Sequence, residues 1–265
     1  MNPRTALITG ASSGIGEAFA EAFAAAGFNL VITARREDRL RAVAERLEKR
    51  YGTRVQVVAA DLSRADAPAR LCDDIAARGL TIDALVNNAG FGVPGTFIAS
   101  EWERHAELLQ VMIVSLAELT RRLVPGMVER KYGRVINVAS LAALVPAPAG
   151  HTLYAAAKAF IVKFSEALAS EVRAAGVHVT ALCPGFTRSE FHDVAGMRAP
   201  VTELPGWLWM DASTVARQGF EAVMSGTPVY VTGRVNRGIA LLARYVPQSL
   251  VAAVGRRAAR RYRRS

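Results

Sequence analysis

Two residues four positions apart, Tyr154 and Lys158, are the pair best suited to acid–base chemistry in this sequence. Helical periodicity predicts a helix over Tyr154–Ala175, and a spacing of four places both side chains on one face of it. A free tyrosine has a pKa of about 10, and an ammonium beside it stabilises the phenolate and lowers that value. Such a pair can exchange a proton with a carbonyl oxygen while hydride moves at the carbon. The alternative is an ordinary pair on a surface helix.

A hydroxyl group is predicted close to that tyrosine. Ser140 directly follows Arg134–Ala139, an apolar run that we interpret as a strand. From the end of a strand its hydroxyl can hydrogen-bond the same carbonyl oxygen and polarise it. We therefore predict Ser140, Tyr154 and Lys158 as the catalytic residues, with a plain turn role for the serine as the alternative.

A glycine-rich stretch near the N-terminus, Thr9–Gly16, has the composition of a phosphate-binding turn. It follows a short apolar run and opens a helical pattern, which is the strand–turn–helix context that gives such a motif meaning. The glycines permit a tight turn and a close approach of the backbone, and the helix N-terminus offers free N–H groups to a pyrophosphate. An ordinary glycine-rich turn is the alternative. The cofactor contacts predicted here are Gly10, Ser12, Ser13, Gly14, Ile15 and Gly16.

The residues after the second predicted strand indicate which dinucleotide would bind. Folds that select NAD usually place an acid there, which holds the ribose 2′-hydroxyl. This sequence has Arg35 and Arg36 instead, shortly after the strand Asn29–Thr33. A guanidinium can grip a 2′-phosphate through two hydrogen bonds, so the two arginines favour NADP(H) over NAD(H). A basic helix start without a ligand is the alternative, although the helix dipole disfavours it.

Apolar strands alternate with helices along most of the chain, which predicts an α/β fold. Strands this apolar are buried on both faces, and right-handed crossovers give a Rossmann-type, doubly wound parallel sheet with helices on both faces. Ligands bind beyond the carboxyl ends of such strands, so Asp61, Leu62, Asn88, Ala89 and Gly90, which follow strands three and four, are predicted on the cofactor rim. The predicted strands are Ala6–Thr9, Asn29–Thr33, Arg54–Ala59, Asp83–Asn87, Arg134–Ala139, Val177–Leu182 and Pro228–Val231; the helices are Glu17–Ala26, Glu37–Arg50, Ala65–Ala77, Trp102–Glu129, Tyr154–Ala175 and Ser213–Met224.

Length and composition set further limits. With 265 residues, of which 51% are hydrophobic, the chain is sufficient for one α/β domain over residues 1–265, and it has no apolar run of membrane-spanning length. The cysteines Cys72 and Cys183 show no paired spacing, and the four histidines show no metal-ligand spacing and are expected in surface or core roles. We therefore predict no disulfide and no metal. Since no signal peptide is expected, the predicted location is cytoplasmic.

The net charge of +10 is concentrated at the C-terminus. Six arginines lie in the last ten residues with no acid among them, so the charge does not indicate a globular body that binds nucleic acid. On a helical wheel the arginines share one arc, with Ala258, Ala259 and Tyr262 opposite. This basic amphipathic tail, residues 247–265, predicts contact with an anionic membrane surface or a partner chain; a solvated terminus is the alternative.

Residues 186–210 lose all periodicity and hold several large apolar side chains, so we predict that this segment caps a substrate pocket. Packing of some of these side chains onto the core is the alternative. Other apolar residues follow the strand ends near the site. Together they lead us to expect a bulky hydrophobic ketone or acyl chain as the substrate. The residues concerned are Phe191, Met197, Trp207, Leu208, Trp209 and Met210 in the segment and Phe91, Val93, Leu141, Leu144 and Val145 near the strand ends.

These motifs occur together in the order typical of the short-chain dehydrogenase/reductase family, and the chain resembles the shorter single-domain branch of that family over about residues 4–190. The resemblance implies a Rossmann fold and an NAD(P)-dependent oxidoreductase acting on alcohols and ketones. The matching positions are Thr9–Gly16, Asp61, Asn87–Gly90, Ser140, Tyr154, Lys158, Pro184, Gly185 and Thr187.

The resemblance also implies a role for each residue. Tyr154 would be the acid/base, Ser140 would polarise the carbonyl, and Lys158 would lower the tyrosine pKa and bind the nicotinamide ribose. Family members form dimers or tetramers, so a homo-oligomer is expected. The residues that would flank the nicotinamide amide are Pro184, Gly185 and Thr187.

The sequence departs from the family pattern in two places. Met112 stands where the family has an asparagine on the long helix after the fourth strand, and its sulfur is a weak acceptor and no donor. The interval from Ser140 to Tyr154 is one residue longer than usual, which the loop between them can absorb.

The sequence supports two hypotheses about function. The first hypothesis is an NADPH-dependent carbonyl reductase, or the alcohol dehydrogenase in reverse, for a hydrophobic substrate such as a 3-oxoacyl chain. The second, based on Met112, is an NADP-binding regulator or scaffold with weak or lost turnover.

Overall fold

The main sheet of this protein is entirely parallel and seven-stranded. The computed structural model describes residues 3–147, 150–189 and 205–245. Its strands are Thr5–Thr9 (β1), Asn29–Thr33 (β2), Val55–Val57 (β3), Ala84–Asn87 (β4), Gly133–Val138 (β5), Val177–Cys183 (β6) and Val229–Val231 (β9); a separate pair comprises Thr187–Arg188 (β7) and Met210–Asp211 (β8). The order β3-β2-β1-β4-β5-β6-β9 confirms the predicted doubly wound sheet.

Helices cover both faces of this sheet. The first, second and seventh helices pack on one face, and the third, fifth and sixth pack on the other. The helices are Gly14–Ala25 (α1), Glu37–Tyr51 (α2), Ala67–Ala77 (α3), Trp102–Leu109 (α4), Leu116–Glu129 (α5), Thr152–Val172 (α6), Ala212–Ser225 (α7) and Arg234–Tyr245 (α8). Short 3-10 turns occupy Leu141–Ala143, Arg173–Ala175 and Gly206–Leu208. Among the described residues, the search for a helix long and apolar enough to cross a membrane finds none.

The sheet separates two apolar clusters, which is why its strands carry so few polar residues. On the first face Phe23 of α1 makes edge contacts with Phe28 and Phe220 at ring distances of 5.1 and 5.0 Å. On the second face Leu71 of α3 and Leu119 of α5 belong to one buried cluster, together with the strand side chains that point to that face. Aromatic edge contacts add to the stabilisation that burial of apolar area provides.

The chain departs in opposite directions from β1, whose neighbours are β2 and β4, and this opens a crevice at their carboxyl ends. Thr9, the last residue of β1, joins the two sides of the crevice. Its hydroxyl donates to the Val86 carbonyl at 3.2 Å and accepts from the backbone N–H groups of Asn88 and Ala89 at 2.9 and 3.0 Å. The crevice is therefore fixed by hydrogen bonds before any ligand enters it.

Some helices and strands in the structure differ from those predicted from the sequence. The predicted helix Trp102–Glu129 is interrupted by a π-helical turn over Gln110–Ser115, where the Ser115 hydroxyl donates to the Leu62 carbonyl at 2.7 Å. Helix α8 and the short β7/β8 pair were not predicted. Part of the predicted cap, residues 190–204, and the whole basic tail 247–265 lie outside the described residues.

Candidate active site

The predicted site residues converge on one cavity of about 500 Å³ at the carboxyl edge of the sheet. All of them line it except Gly16, which lies behind the turn, where a Cβ would collide with the Gly10 carbonyl. Gly16 therefore serves the packing of α1 on the turn and does not face the cavity. The lining residues that had been predicted are Gly10, Ser12, Ser13, Gly14, Ile15, Arg35, Arg36, Asp61, Leu62, Asn88, Ala89, Gly90, Ser140, Tyr154, Lys158, Pro184, Gly185 and Thr187.

The glycine-rich turn is held in a shape that larger residues would not allow. Gly10 and Gly14 have φ angles of +67° and +60°, in the left-handed region that favours glycine. A Cβ on Gly10 would lie 2.8 Å from the side-chain nitrogen of Asn88. That same nitrogen donates to the carbonyls of Thr9 and Gly10 at 3.0 and 3.3 Å, so the asparagine braces the turn from the β4 side.

A cluster of donors lies at the outer end of the turn. Arg36 is the residue immediately before α2, and its guanidinium donates to the hydroxyls of Ser12 and Ser13 at 3.1 and 3.0 Å. Arg35 is also exposed at the cavity wall. Two hydroxyls, a guanidinium and the N-terminus of α1 form a donor set whose chemistry fits the phosphate groups of a dinucleotide.

Ser140, Tyr154 and Lys158 come together from two elements. Ser140 follows β5 and caps the 3-10 turn after it, because its hydroxyl accepts from the Ala142 N–H at 3.1 Å. Tyr154 lies in the first turn of α6, and the Ser140 side chain hydrogen-bonds its phenol. Lys158 lies one turn further, is buried, and donates to the Val138 carbonyl at 2.7 Å. Its ammonium is 5.7 Å from the centre of the tyrosine ring.

The pKa of the tyrosine differs from the sequence-based expectation. Burial raises the pKa of Tyr154 to about 12, and the hydrogen bond from Ser140 acts against that rise without reversing it. Burial also lowers the pKa of Lys158 to about 8, since a charged ammonium is poorly solvated there. The expectation of a lowered tyrosine pKa is therefore not met in the protein by itself, where burial outweighs the hydrogen bond from Ser140.

His151 is a cavity residue that was not predicted from the sequence. His151 lines the cavity and lies at the N-terminus of α6, with its ring edge-on to that of Tyr154 at 5.8 Å. Burial lowers the pKa of His151, which favours its neutral form. From the sequence, only a surface or core role was expected for this histidine. Its position three residues before Tyr154, which puts both on one helix face, is the pattern that could have identified it.

Met112 occupies the π-helical turn and is buried. It packs with Leu108 and Ala157, and Tyr154 lies against the same cluster. A Cβ on Gly90 would lie 2.7 Å from its terminal methyl group. The thioether therefore fills the space between the end of β4 and α6 and contributes no hydrogen-bond donor there.

The remaining wall of the cavity is mostly apolar, although Glu107 also lines it. Of the five residues expected near strand ends, Phe91, Leu141 and Val145 line it, whereas Val93 and Leu144 pack into neighbouring clusters. In the predicted cap, Phe186 lines the cavity and its ring contacts that of Trp209 in a tilted arrangement, with the ring centres 5.7 Å apart. Trp207 is exposed. Phe191 and Met197 lie outside the described residues. Leu208, Trp209 and Met210 are half-buried and do not line the cavity.

The two cysteines are free thiols, Cys72 half-buried and Cys183 buried. A search of the part of the chain that the structure describes finds no cluster of three or more histidine, cysteine, aspartate or glutamate residues.

The fold and this set of side chains define a nucleotide-dependent oxidoreductase, and comparison with known proteins identifies the family. Residues 4–197 match the family model for short chain dehydrogenases. The chain therefore belongs to the short-chain dehydrogenase/reductase family, as the sequence motifs had indicated.

Two curated relatives and two solved structures illustrate the similarity. A short chain dehydrogenase of Pseudocercospora fijiensis is 39% identical over 193 residues, 71% of this chain and 60% of that protein. The very-long-chain 3-oxoacyl-CoA reductase of Rattus norvegicus is 29% identical over 236 residues, 87% of this chain and 74% of that one. The chain thus spans about three fifths of the first relative's length.

Among solved structures, a short-chain dehydrogenase from Sphingobium yanoikuyae in complex with NADPH has a TM-score of 0.81 and 31% identity, covering 94% of this chain and 95% of that one. A short chain dehydrogenase/reductase from Burkholderia phymatum in complex with NAD has a TM-score of 0.80 and 27% identity, covering 91% and 92%. Similar folds thus hold either dinucleotide, so the preference has to be argued from this chain's own residues.

Proposed function

We propose that this protein is an NADPH-dependent carbonyl reductase, or the corresponding alcohol dehydrogenase, for a hydrophobic ketone or secondary alcohol. The observation that carries the proposal is the meeting of Ser140, Tyr154 and Lys158 at one cavity whose other end holds the Arg36 guanidinium against two serine hydroxyls. The first group suits proton transfer to a carbonyl, and the second suits a phosphate.

The catalytic residues would act together on the carbonyl oxygen of the substrate. A bound nicotinamide cofactor supplies or accepts the hydride. In the reductive direction the Ser140 hydroxyl donates a hydrogen bond to the carbonyl oxygen, and Tyr154 gives that oxygen its phenolic proton. With a pKa of about 12, the phenol is fully protonated at neutral pH and is ready to act as the acid.

Lys158 would stabilise the phenolate that remains. Its ammonium lies one helical turn from the tyrosine and is held in place by the Val138 carbonyl. An ammonium near a newly formed phenolate lowers the energy of that anion, which opposes the destabilisation that burial causes. Recovery of the proton from solvent has to bypass Met112, which offers no donor.

NADP(H) is proposed over NAD(H) because of the groups beside β2. Arg36 already bridges Ser12 and Ser13, so a 2′-phosphate there would meet a guanidinium and two hydroxyls without a large rearrangement. Arg35 lines the same end of the cavity. A charge-assisted, bidentate contact is about twice as strong as a neutral hydrogen bond.

The proposed substrate is a bulky hydrophobic ketone or a 3-oxoacyl chain. The walls beyond the tyrosine are formed by Phe91, Val111, Leu141, Val145 and Phe186, all apolar. These side chains bind an aromatic or long alkyl group by burial, although Glu107 also lines the cavity. A relative that reduces very-long-chain 3-oxoacyl-CoA supports acyl chains as one class to test.

A second candidate function is an NADP-binding regulator or scaffold with weak or lost turnover. Met112 favours it, because the usual donor at that position is missing. Three further predictions stand with the main proposal: a homo-oligomer, a cytoplasmic location, and membrane or partner contact through residues 247–265. We propose no nucleic-acid partner.

An NADPH oxidation screen tests the proposal. The protein is offered aromatic ketones, quinones, 3-oxoacyl thioesters and small polar carbonyls, each with NADPH or NADH. We expect turnover with NADPH and a higher kcat/KM for the aromatic and long-chain substrates. Better turnover of small polar carbonyls would contradict the substrate class. Firm NADPH binding without turnover of any carbonyl or alcohol would favour the regulator.

A further inference from the structure

Helix α8 has one side fixed against the wall of the cavity. Asn236 is its buried residue, and its side-chain amide donates to the Thr232 carbonyl at 2.8 Å and contacts the Met210 sulfur at 3.5 Å. A Cβ on Gly185, which lines the cavity, would lie 2.5 Å from that amide. The first turn of α8 therefore lies directly behind the cavity, and its position is set by buried contacts.

The opposite side of α8 is apolar and exposed. Leu241, Leu242 and Tyr245 are 59%, 66% and 74% exposed, and Val235 is also largely in contact with solvent. At 100° per residue these four side chains occupy an arc of about 120°, opposite Asn236. Isolated exposed leucines are common, but an exposed apolar arc along a whole helix indicates a surface that binds something.

Three arginines lie at the edge of this arc or within it, and no acidic residue follows it in the sequence. Arg237 and Arg244 lie along one edge of the arc and Arg234 lies within it, all three exposed. From Arg234 to the C-terminus the sequence contains nine arginines and no aspartate or glutamate, against a net charge of +10 for the whole chain. An apolar arc beside a cationic edge is complementary to a surface that is anionic outside and apolar beneath.

Apolar side chains are also exposed on the other wall of the cavity. Phe97, Ile98 and Trp102 lie in or next to the loop between β4 and α4, and Ile98 is 93% exposed. That loop reaches the residue before His151, since a Cβ on Gly150 would lie 3.2 Å from the Gly95 carbonyl oxygen. The cavity therefore lies between two segments that present apolar groups to solvent.

We propose that the outer face of α8, formed by Val235, Leu241, Leu242 and Tyr245 with its three arginines, docks on an anionic lipid bilayer. The leucines and the tyrosine enter the headgroup region, and the arginines pair with lipid phosphates. The face binds in the interfacial plane and does not span the membrane. Because α8 is fixed behind the cavity, docking holds the cavity close to the lipid surface.

Vesicle co-sedimentation of the full chain tests this surface without using enzyme activity. We expect the protein to pellet with phosphatidylcholine vesicles that contain phosphatidylglycerol, to pellet far less with phosphatidylcholine alone, and to be released by salt. The double variant Leu241→Gln/Leu242→Gln should weaken the partition coefficient by about tenfold or more. Val114→Gln, at an exposed valine on a different helix, should leave it unchanged.

A charge-matched pair of variants tests the arginines. Replacing Arg234, Arg237 and Arg244 with glutamine should weaken binding about a hundredfold, since each cation at an anionic surface contributes roughly fivefold. The same change at Arg41, Arg64 and Arg70 removes equal charge from exposed arginines elsewhere and should have a smaller effect. Circular dichroism and melting temperature check that each variant folds.

Three results would overturn the proposal. The first is equal pelleting with neutral and anionic vesicles. The second is unchanged pelleting of the leucine variant, which would assign all binding to residues 246–265. The third is a loss of self-association in the leucine variant on size-exclusion chromatography with no effect on vesicle binding, which would assign the face to a second copy of the chain.

Discussion

The two ends of the cavity are built in different ways. The cofactor end consists of strand termini and a turn that hydrogen bonds hold in place: Thr9 joins β1 to β4, Asn88 braces the glycines, and Arg36 bridges two serines. The substrate end consists of apolar side chains from three separate segments, including Phe91, Leu141 and Phe186. Backbone geometry and hydrogen-bond donors determine which ligand fits the cofactor end. The shape of the apolar walls determines which ligand fits the substrate end.

This difference determines what each end can select. Directional hydrogen bonds reject a ligand that lacks the matching groups, whereas an apolar wall discriminates weakly between ligands of similar size. We therefore expect strict cofactor selection and a broad range of hydrophobic substrates. The following predictions test that contrast, beginning with the largest expected effect.

Tyr154→Phe should lower kcat by at least about a thousandfold, because it removes the phenolic proton that is proposed to pass to the carbonyl oxygen. NADPH affinity, measured by fluorescence titration, should stay nearly unchanged. Tyr51→Phe, which removes a phenol hydroxyl at the far end of α2, serves as the control and should keep full activity. Residual activity of the Tyr154 variant on every substrate that the parent accepts would rule out the catalytic assignment.

Replacing Arg35 and Arg36 with alanine should weaken NADPH about a hundredfold and leave NADH nearly unaffected, since only the former carries a 2′-phosphate. Fluorescence titration of both cofactors measures this. Arg41→Ala/Arg46→Ala removes the same charge from the same helix, and we expect little change with either cofactor. An equal loss of NADH and NADPH affinity in the Arg35 and Arg36 variant would show that these residues do not bind the 2′-phosphate.

Lys158 should make the stability of the fold depend on pH. Its pKa in the folded protein, about 8, lies below its unfolded value of roughly 10.4, so the unfolded chain binds more protons between those values. The contribution of this group to stability therefore rises from pH 8 to pH 10. Lys158→Met removes that rise, so its stability relative to the parent should be about 2 kcal/mol higher at pH 7 than at pH 10. Urea midpoints at both values check this, and an equal difference at both would contradict it.

Met112→Asn should have the smallest effect. Asparagine restores a donor in the π-helical turn, so kcat should rise a few-fold if proton resupply limits turnover, with cofactor affinity unchanged. Met112→Leu keeps an apolar side chain of similar volume and should behave like the parent. A solvent isotope effect that is large in the parent and reduced only in the asparagine variant would identify the slow step as proton transfer; identical isotope effects in all three proteins would argue against it.

The fold and the cofactor end of the cavity could be predicted because both depend on patterns within short stretches of the sequence. Buried parallel strands are continuously apolar, as β1 is, and the glycine turn requires φ angles that few other residues adopt. The substrate end could not be predicted to the same degree. Whether Val93 or Val145 faces the cavity depends on how each loop packs, and the spacing along the chain does not encode that packing.

Tyr154 and helix α8 show the same limit. The pKa of Tyr154 is controlled by burial, a property of the assembled fold, so the local pairing with Lys158 gave the wrong direction. Helix α8 carries few of the usual helix-start residues and was not predicted, although its amphipathic face is evident once its axis is known.

Transfer of label from the cofactor to a ketone tests the central claim most directly. The protein is mixed with NADPH deuterated at the transferred position of the nicotinamide, together with a bulky aromatic ketone, and the alcohol is analysed by mass spectrometry. We predict an alcohol that carries one deuterium on the carbinol carbon, formed by the parent protein and absent with Tyr154→Phe. Firm NADPH binding with no labelled alcohol from any hydrophobic ketone would contradict the reductase assignment.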